Sequence, residues 1–391
     1  MAQPRRAPLA SPSSPGAILR LVRSGRATSR AEVARFAGIS ASTAAARIDE
    51  LVRLGFLREA GVGESHGGRK PMLLEISPRS GVVGGVDLGT NHGSFGLFDM
   101  SGNLRADRHL DMSIADGPEA VLRWVLEQLK DLAAREPESP TLRGIAIALP
   151  GPVDSRTGLL VSPSRMPGWN GIDVAAMMTR LAGIPTLVDN DANLMSVGEY
   201  SLVDSAVQDL VFVKAGSGIG CGVIAEGHLY RGSHGMAGDI SHVSVPDSPH
   251  VLCGCGRYGC LDVIASGAAI VTNLNAAGVE IDDIAQALAL AQDSHPLTTS
   301  MLREAGVRTG NVLATIVNFF NPDQLVLGGH LSQAEAFVAG VRSAIYTQCL
   351  PMATDHLDIT VSKAGKVGGV MGAAILILDH LFDREVSAHV A

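Results

Sequence analysis

The sequence predicts an α/β protein in two parts: a small helical front end closed by a two-stranded ribbon, then a large body of two related lobes. Three observations predict it. Charge divides the chain: residues 1–80 hold 13 Lys and Arg against 6 Asp and Glu, a net +7, whereas the whole chain carries −8, which leaves −15 on residues 81–391. Capped helical segments punctuated by glycine fill the front, with two short apolar runs after them. Beyond Val82 a strand ending in a Gly-bearing turn occurs twice, about 130 residues apart, as related lobes would require. At 391 residues the chain is too long for one core. A composition of 46% hydrophobic and 18% charged residues is that of a folded chain. No apolar run reaches membrane-spanning length without Gly, Pro or charge, so no membrane partner is expected. Residues 1–14, rich in Pro and Ser, read as a flexible tail, not a signal peptide. Few, clustered cysteines fit a cytoplasmic location.

Residues 15–78 form the first predicted domain. Ala17–Val22 reads as a short helix that Gly25 stops. Ser29 and Glu32 have capping-box spacing for a second helix, with Val33, Ala34 and Ala37 inward. Gly38 permits a tight turn. Ser40 caps a third helix whose inner face is Ile48, Leu51 and Val52. Two short helices across a Gly turn fit a helix-turn-helix. The second of the pair would enter a DNA major groove by its N-terminal half, which makes Ser42, Thr43 and Arg47 candidate readers. Phe56–Arg58 and Met72–Ile76 read as strands. The Gly-rich segment between them carries Arg69 and Lys70, cations suited to a narrow minor groove, and completes a winged helix. The net +7 fits a polyanion partner, double-stranded DNA.

The body begins with strand Val82–Asp87, its turn Asp87-Leu88-Gly89-Thr90, strand Ser94–Asp99, a further strand after Asn103, helix Pro118–Arg135 and strand Gly144–Leu149. That order fits a mixed α/β lobe. The second opening runs from strand Leu210–Lys214 through the Gly-rich Ala215–Gly222 to strand Val223–Ala225. Such turns bring N–H groups close to an anion, although hairpins need glycine too. Between the two openings, strand Pro185–Val188 enters the knot Asp189-Asn190-Asp191-Ala192-Asn193, with a helix from about Leu194. Carboxylates and amides there suit sugar hydroxyls, and equally suit a helix cap. Asn318–Asp323 leads into strand Leu325–Leu327 and a Gly pair, and a Gly-rich final helix is expected over Gly365–Leu378.

Cys253-Gly254-Cys255-Gly256-Arg257-Tyr258-Gly259-Cys260 places three thiols within eight residues. With one imidazole they make a closed tetrahedral zinc site, structural because no position stays open for water. His242 is the first choice for the imidazole and His250 the alternative. Cys221 and Cys349 read as plain buried cysteines.

Taken together, these segments resemble the ROK family of repressors, open reading frames and sugar kinases. Its marks here are Gly151–Asp154, Asp189–Asn193, Gly216–Gly222, Gly235–His242 and Cys253–Asp262. The resemblance implies a two-lobed, actin-like sugar-kinase fold over residues 82–391, and a homodimer or homotetramer. It makes His242, Cys253, Cys255 and Cys260 the ligands of a structural Zn2+. It makes Asn190, Asp191, Asp239, His242 and Asp262 sugar-binding, with Asp191 the general base in the family's kinases. Three departures stand out. The family's first phosphate loop reads Asp-x-Gly-Gly-Thr; Asp87-Leu88-Gly89-Thr90-Asn91 loses the second Gly and the Thr hydroxyl, so ATP is not expected. Two sugar-binding glutamates are the shorter Asp239 and Asp262. An Asn of the family is Arg165, able to pair with a phosphorylated or acidic sugar, or to point to solvent. The expectation is a repressor of carbohydrate uptake or catabolism genes, controlled by a sugar or sugar phosphate and not an enzyme. The alternative is an ATP-dependent sugar kinase with a DNA-binding appendage; a third reading is an interaction scaffold.

Overall fold

The computed structural model describes residues 14–62, 72–77, 81–137, 140–204, 206–246 and 250–390, side chains excepted for Val62 and 384–390. The chain divides into two compact units. Unit 1 comprises Met1–Val161, Met166–Asp189 and Val370–Ala391; unit 2 comprises Ser162–Arg165 and Asn190–Gly369.

Unit 1 opens with α1 (Pro15–Arg23), α2 (Arg30–Ala37) and α3 (Ala41–Arg53), each started by a serine cap: Ser14 accepts from the Ala17 N–H, Ser29 from Glu32 and Ser40 from Thr43. Gly38 ends α2 in the left-handed region, φ 64°, and so permits the turn into α3. The reciprocal half of the capping box lands one residue earlier than expected: the Glu32 carboxylate accepts from the N–H and hydroxyl of Thr28. Ile18, Leu19, Val33, Ile48 and Leu51 are buried, whereas Ala34 and Val52, expected inside, are half-buried. Antiparallel strands β1 (Leu57–Val62) and β2 (Met72–Ile76) complete the module, β1 running further than the three residues expected. Arg69 and Lys70 lie outside the described residues.

The rest of unit 1 is a five-stranded sheet in the order β5-β4-β3-β6-β7. Its strands are β3 (Val82–Leu88), β4 (His92–Asp99), β5 (Leu104–Asp111), β6 (Leu142–Leu149) and β7 (Thr186–Asn190), with α4 (Pro118–Arg135) and α5 (Val174–Ala182) between them in sequence. Every residue of β3 is buried, because both faces of the sheet are covered. At successive positions a Cβ on Gly84 would lie 2.8 Å from Leu129 of α4, and one on Gly85 would lie 2.1 Å from the Val370 carbonyl of the C-terminal helix, Gly368–Val390. The glycines that let this helix approach therefore lie in the strand, and not only in the helix as its composition suggested. The span Gly365–Asp383 is long and apolar enough to cross a membrane, but its Val370, Ala374, Ile377 and Leu381 are buried in unit 1. The far end of the helix holds α1: Arg20 pairs with Asp383 at 2.6 Å and Arg23 with Asp379 at 2.7 Å.

Unit 2 repeats the plan, in the order β10-β9-β8-β11-β12. Central β8 (Leu210–Ala215) is antiparallel to β9 (Ile219–Ala225), which pairs with β10 (His228–Leu229); on its other side it is parallel to β11 (Gln324–Gly328), and β11 to β12 (Asp358–Val361). Side-chain alternation splits β8 between two cores. Leu210 and Phe212 meet Met195 of α6 (Asp191–Tyr200). Val211 and Val213 belong to the core formed with α7 (Leu261–Ala265), α8 (Gly267–Ala276), α9 (Ile284–Gln292), α10 (Pro296–Phe320) and α11 (Glu335–Gln348). Two expectations are corrected here. The turn after β8 is only Gly216-Ser217-Gly218, and β9 starts at Ile219 instead of Val223. The reason is packing: a Cβ on Gly222 would lie 2.5 Å from the Ala192 carbonyl, so that glycine serves the close approach of α6. And α6 starts at Asp191, not near Leu194, because Asn190 caps it by accepting from the Ala192 and Asn193 N–H groups at 3.0 and 3.3 Å.

Candidate metal centre and ligand site

Four donors converge in unit 2. The ligand atoms of His242, Cys253, Cys255 and Cys260 all lie within 4.8 Å of one another. His242 Nδ1 is 3.5 Å from Cys253 Sγ, and the Cys255 and Cys260 sulfurs are 3.6 Å apart. Zinc bonds of ~2.0–2.3 Å at tetrahedral angles put ligand atoms roughly 3.3–3.8 Å apart, a range that holds both of these separations, and three thiols with one imidazole suit zinc in chemistry. The knuckle is local backbone work: Cys253 N–H donates to the Arg257 carbonyl and Gly256 N–H to the Cys253 carbonyl, with Gly256 at φ 84°. The thiols are electrostatically unequal. Cys255 is drawn down to about 6, first by the Arg257 backbone N–H and then by its guanidinium, while burial pushes Cys260 up to about 12. Of the two histidines weighed, His250 stacks on Tyr258 with ring centroids 3.8 Å apart and is not in the donor cluster.

The predicted sugar-binding residues also all fall in unit 2, and the fold gives each carboxylate a protein partner. Asp191 opens α6 and is buried; one oxygen accepts from the Ala192 N–H at 2.7 Å and the other pairs with Lys214 on β8. Asp262, in the first turn of α7 two residues after Cys260, is buried; it accepts from the Ile219 N–H at 3.1 Å and pairs with Arg165 at 2.7 Å. Arg165 is therefore paired within the protein and half-buried, instead of extending freely into solvent. Asp239 is exposed and is held by the N–H and hydroxyl of Ser241. It follows Gly238, where a Cβ would meet the Cys221 carbonyl at 2.3 Å. The knot at the end of β7 is thus a helix cap, as one reading of the sequence had it: Asn190 accepts from the Ala192 and Asn193 N–H groups. Lys214 was read only as the end of a strand; an isolated lysine closing an apolar run carries no signal of its partner.

In unit 1, Ser42 and Thr43 are exposed at the start of α3, where both hydroxyls bond that of Ser40 at 2.9 and 2.8 Å. Arg47 lies one turn on, half-buried, 3.8 Å from Glu50. The β3–β4 turn is tight: Gly89 N–H donates to the His92 carbonyl at 2.9 Å, and a Cβ on Gly89 would lie 2.2 Å from the His92 ring. Cys221 and Cys349 are buried as expected; burial alone pushes Cys221 up to about 12.

Known proteins resemble this chain along most of its length. The xylose repressor of Bacillus spizizenii is 28% identical over 362 residues, covering 91% of this chain and 92% of its own. The glucokinase of Halalkalibacterium halodurans is 25% identical over 312 residues, covering 75% of this chain and 94% of its own. The crystal structure of a ROK family transcriptional regulator, a homologue of the E. coli MLC protein, superposes with a TM-score of 0.79 at 25% identity, covering 95% of this chain and 98% of that one. Residues 83–380 match the ROK family, and the chain belongs to that family.

Proposed function

We propose that this chain is a sequence-specific DNA-binding repressor of carbohydrate uptake or catabolism genes, acting in the cytoplasm, and that a sugar or sugar phosphate bound in unit 2 controls it. The observation that carries this reading is a front end built to present one helix. Core residues Ala44, Ile48 and Leu51 anchor the inner side of α3, while Ser42 and Thr43 face outward at its N-terminal half. The extent of the likenesses supports it: 91% of the chain aligns with a xylose repressor and 75% with a glucokinase. Ser42, Thr43 and Arg47 would contact DNA, joined by Arg69 and Lys70 from the sequence between β1 and β2. A homodimer or homotetramer would engage paired half-sites. Asn190, Asp191, Asp239, His242 and Asp262 would surround the carbohydrate. His242, Cys253, Cys255 and Cys260 would hold a structural zinc, which supplies cross-linking of the loop to the start of α7 and no chemistry.

The sugar-kinase reading needs a proton acceptor and a phosphate cradle. Asp191 has the right residue type for the first, but Lys214 and the Ala192 N–H already occupy its oxygens. For the second, the Gly89 N–H is engaged within its own hairpin. Both observations weigh against turnover. The test is fluorescence anisotropy with DNA from upstream of the protein's own gene, across a salt series and a panel of sugars and sugar phosphates, alongside a coupled ADP-release assay. Salt-sensitive DNA binding that a carbohydrate weakens is the expected result. ADP release with a hexose, abolished by Asp191→Asn, would establish the enzyme instead.

A further inference from the structure

The segment Ser162–Arg165 is a short excursion of the chain into unit 2, and its last residue stands at the ligand site. The Arg165 guanidinium lies against Gly218: a Cβ there would be 3.3 Å from Nε and 3.4 Å from Cζ, and 3.1 Å from Asp262 Oδ1. Arg165 Nη2 donates to Asp262 Oδ2 at 2.7 Å, and Asp262 Oδ1 accepts from the Ile219 N–H at 3.1 Å. The Asp262 side chain is 11% exposed and that of Arg165 28%. Thus each oxygen of the buried carboxylate already accepts from the protein, whereas the cation it holds still reaches solvent.

The metal loop lies near both partners: Ser164, next to Arg165, is near Gly254, where an added Cβ would lie 3.3 Å from the Ser164 Cβ, and Asp262 follows Cys260 by two residues. An arginine held by Asp262, with one Nη engaged and further N–H donors in a rigid fork, is preorganised for a planar or tetrahedral anion. Of the other carboxylates expected to accept from sugar hydroxyls, Asp191 is buried with both oxygens bonded, to Lys214 and to the Ala192 N–H, while exposed Asp239 accepts from Ser241 at Oδ1.

We infer that the effector is an acidic monosaccharide whose phosphate or carboxylate is carried by Arg165, and that Asp262 positions this arginine instead of accepting from a sugar hydroxyl. The inference rests on the carbohydrate-responsive reading above and narrows its ligand class.

Isothermal titration of the zinc-loaded full-length protein with glucose, glucose 6-phosphate, glucuronate and inorganic phosphate tests it. One of the two acidic sugars is expected to bind at least tenfold more tightly than glucose and than inorganic phosphate, and to weaken as salt rises; which one does so identifies the acidic group. Arg165→Gln is expected to abolish that preference and Arg165→Lys to retain part of it, with zinc content reporting that both variants are folded. Glucose binding as tightly as both acidic sugars, inorganic phosphate matching the tighter of the two acidic sugars, or an acidic preference unchanged in Arg165→Gln would each overturn the inference. In the first of these cases, a neutral sugar that still alters DNA affinity leaves the repressor reading standing. If no carbohydrate binds and none alters DNA affinity, both fall.

Discussion

Lys214 and Asp191 show how one pairing changes what a residue can do. A buried carboxylate costs several kcal/mol unless a cation or donors compensate it, and here a strand-borne lysine and the first N–H of the following turn do so. Lys214→Met leaves that charge buried without its cation and is expected to destabilise the protein by ~3 kcal/mol in thermal denaturation, whereas Lys214→Met with Asp191→Asn should recover most of the loss. An unchanged melting curve for the single variant would show the pair to be solvated. The metal ligands make a second claim at this scale. Cys255→Ser or Cys253→Ser is expected to lower bound zinc from one per chain to well below, measured by metal analysis after gel filtration. Full zinc in both variants would contradict the tetrahedral set.

At the scale of elements, capping chemistry and glycine placement carry most of the fold. Glu32 caps the entry to α2, and its pKa is lowered, first by the Thr28 backbone N–H and then by the Thr28 hydroxyl. A carboxyl depressed in the folded state adds stability above its unfolded value, near 4.5, and loses it as pH falls through the folded value. Glu32→Gln is therefore expected to speed amide exchange at the start of α2 at neutral pH, and to match the parent once both are acidified below the carboxylate range; equal exchange at neutral pH would remove the cap from the account. Deeper in unit 2, buried Glu199 accepts from the Ser362 hydroxyl and the Lys363 and Ala364 N–H groups at 2.6, 2.8 and 3.0 Å. Glu199→Ala strands the buried Ala364 N–H and removes the acceptor of the part-buried Ser362 and Lys363 donors, and should cost about 1–3 kcal/mol in thermal denaturation.

These elements also mark what the sequence made legible. Serine caps, left-handed glycines and apolar runs are local signals, so α4 was expected at Pro118–Arg135 and is found there. The doubled strand–turn opening anticipated two sheets of like order. The convergence of the four donors was legible because three of them are near neighbours in sequence. What failed to show was long-range. Gly222 reads as part of a phosphate-type loop until α6 is laid across it. Arg165 and Asp262 stand 97 residues apart, and nothing local announces a pair. Asp239 and Asp262 look alike as shortened sugar carboxylates, yet one is exposed and bonded to Ser241 while the other is buried and bonded to arginine.

For the whole molecule, charge and fold agree on a division of labour. Residues 1–80, the stretch of sequence that includes α1 to α3, carry a net +7, and the acidic remainder builds the two sheets. Arg47→Ala is expected to weaken operator binding by about 1–3 kcal/mol if it reads a base, or to lower the salt slope by about one if it contacts phosphate; anisotropy titrations at several salt concentrations separate the two, and an unaltered titration would take Arg47 out of the interface. A carbohydrate can regulate such a protein only by binding its DNA-competent and DNA-incompetent states with different affinity, and the coupling is reciprocal. The most direct measurement is therefore operator affinity of the zinc-loaded full-length protein, with and without a saturating carbohydrate, at fixed salt. The account predicts salt-sensitive binding that the carbohydrate weakens by tenfold or more, about 1.4 kcal/mol. Affinity for DNA that is absent or indifferent to salt, together with steady ATP consumption in the presence of a hexose, would contradict it.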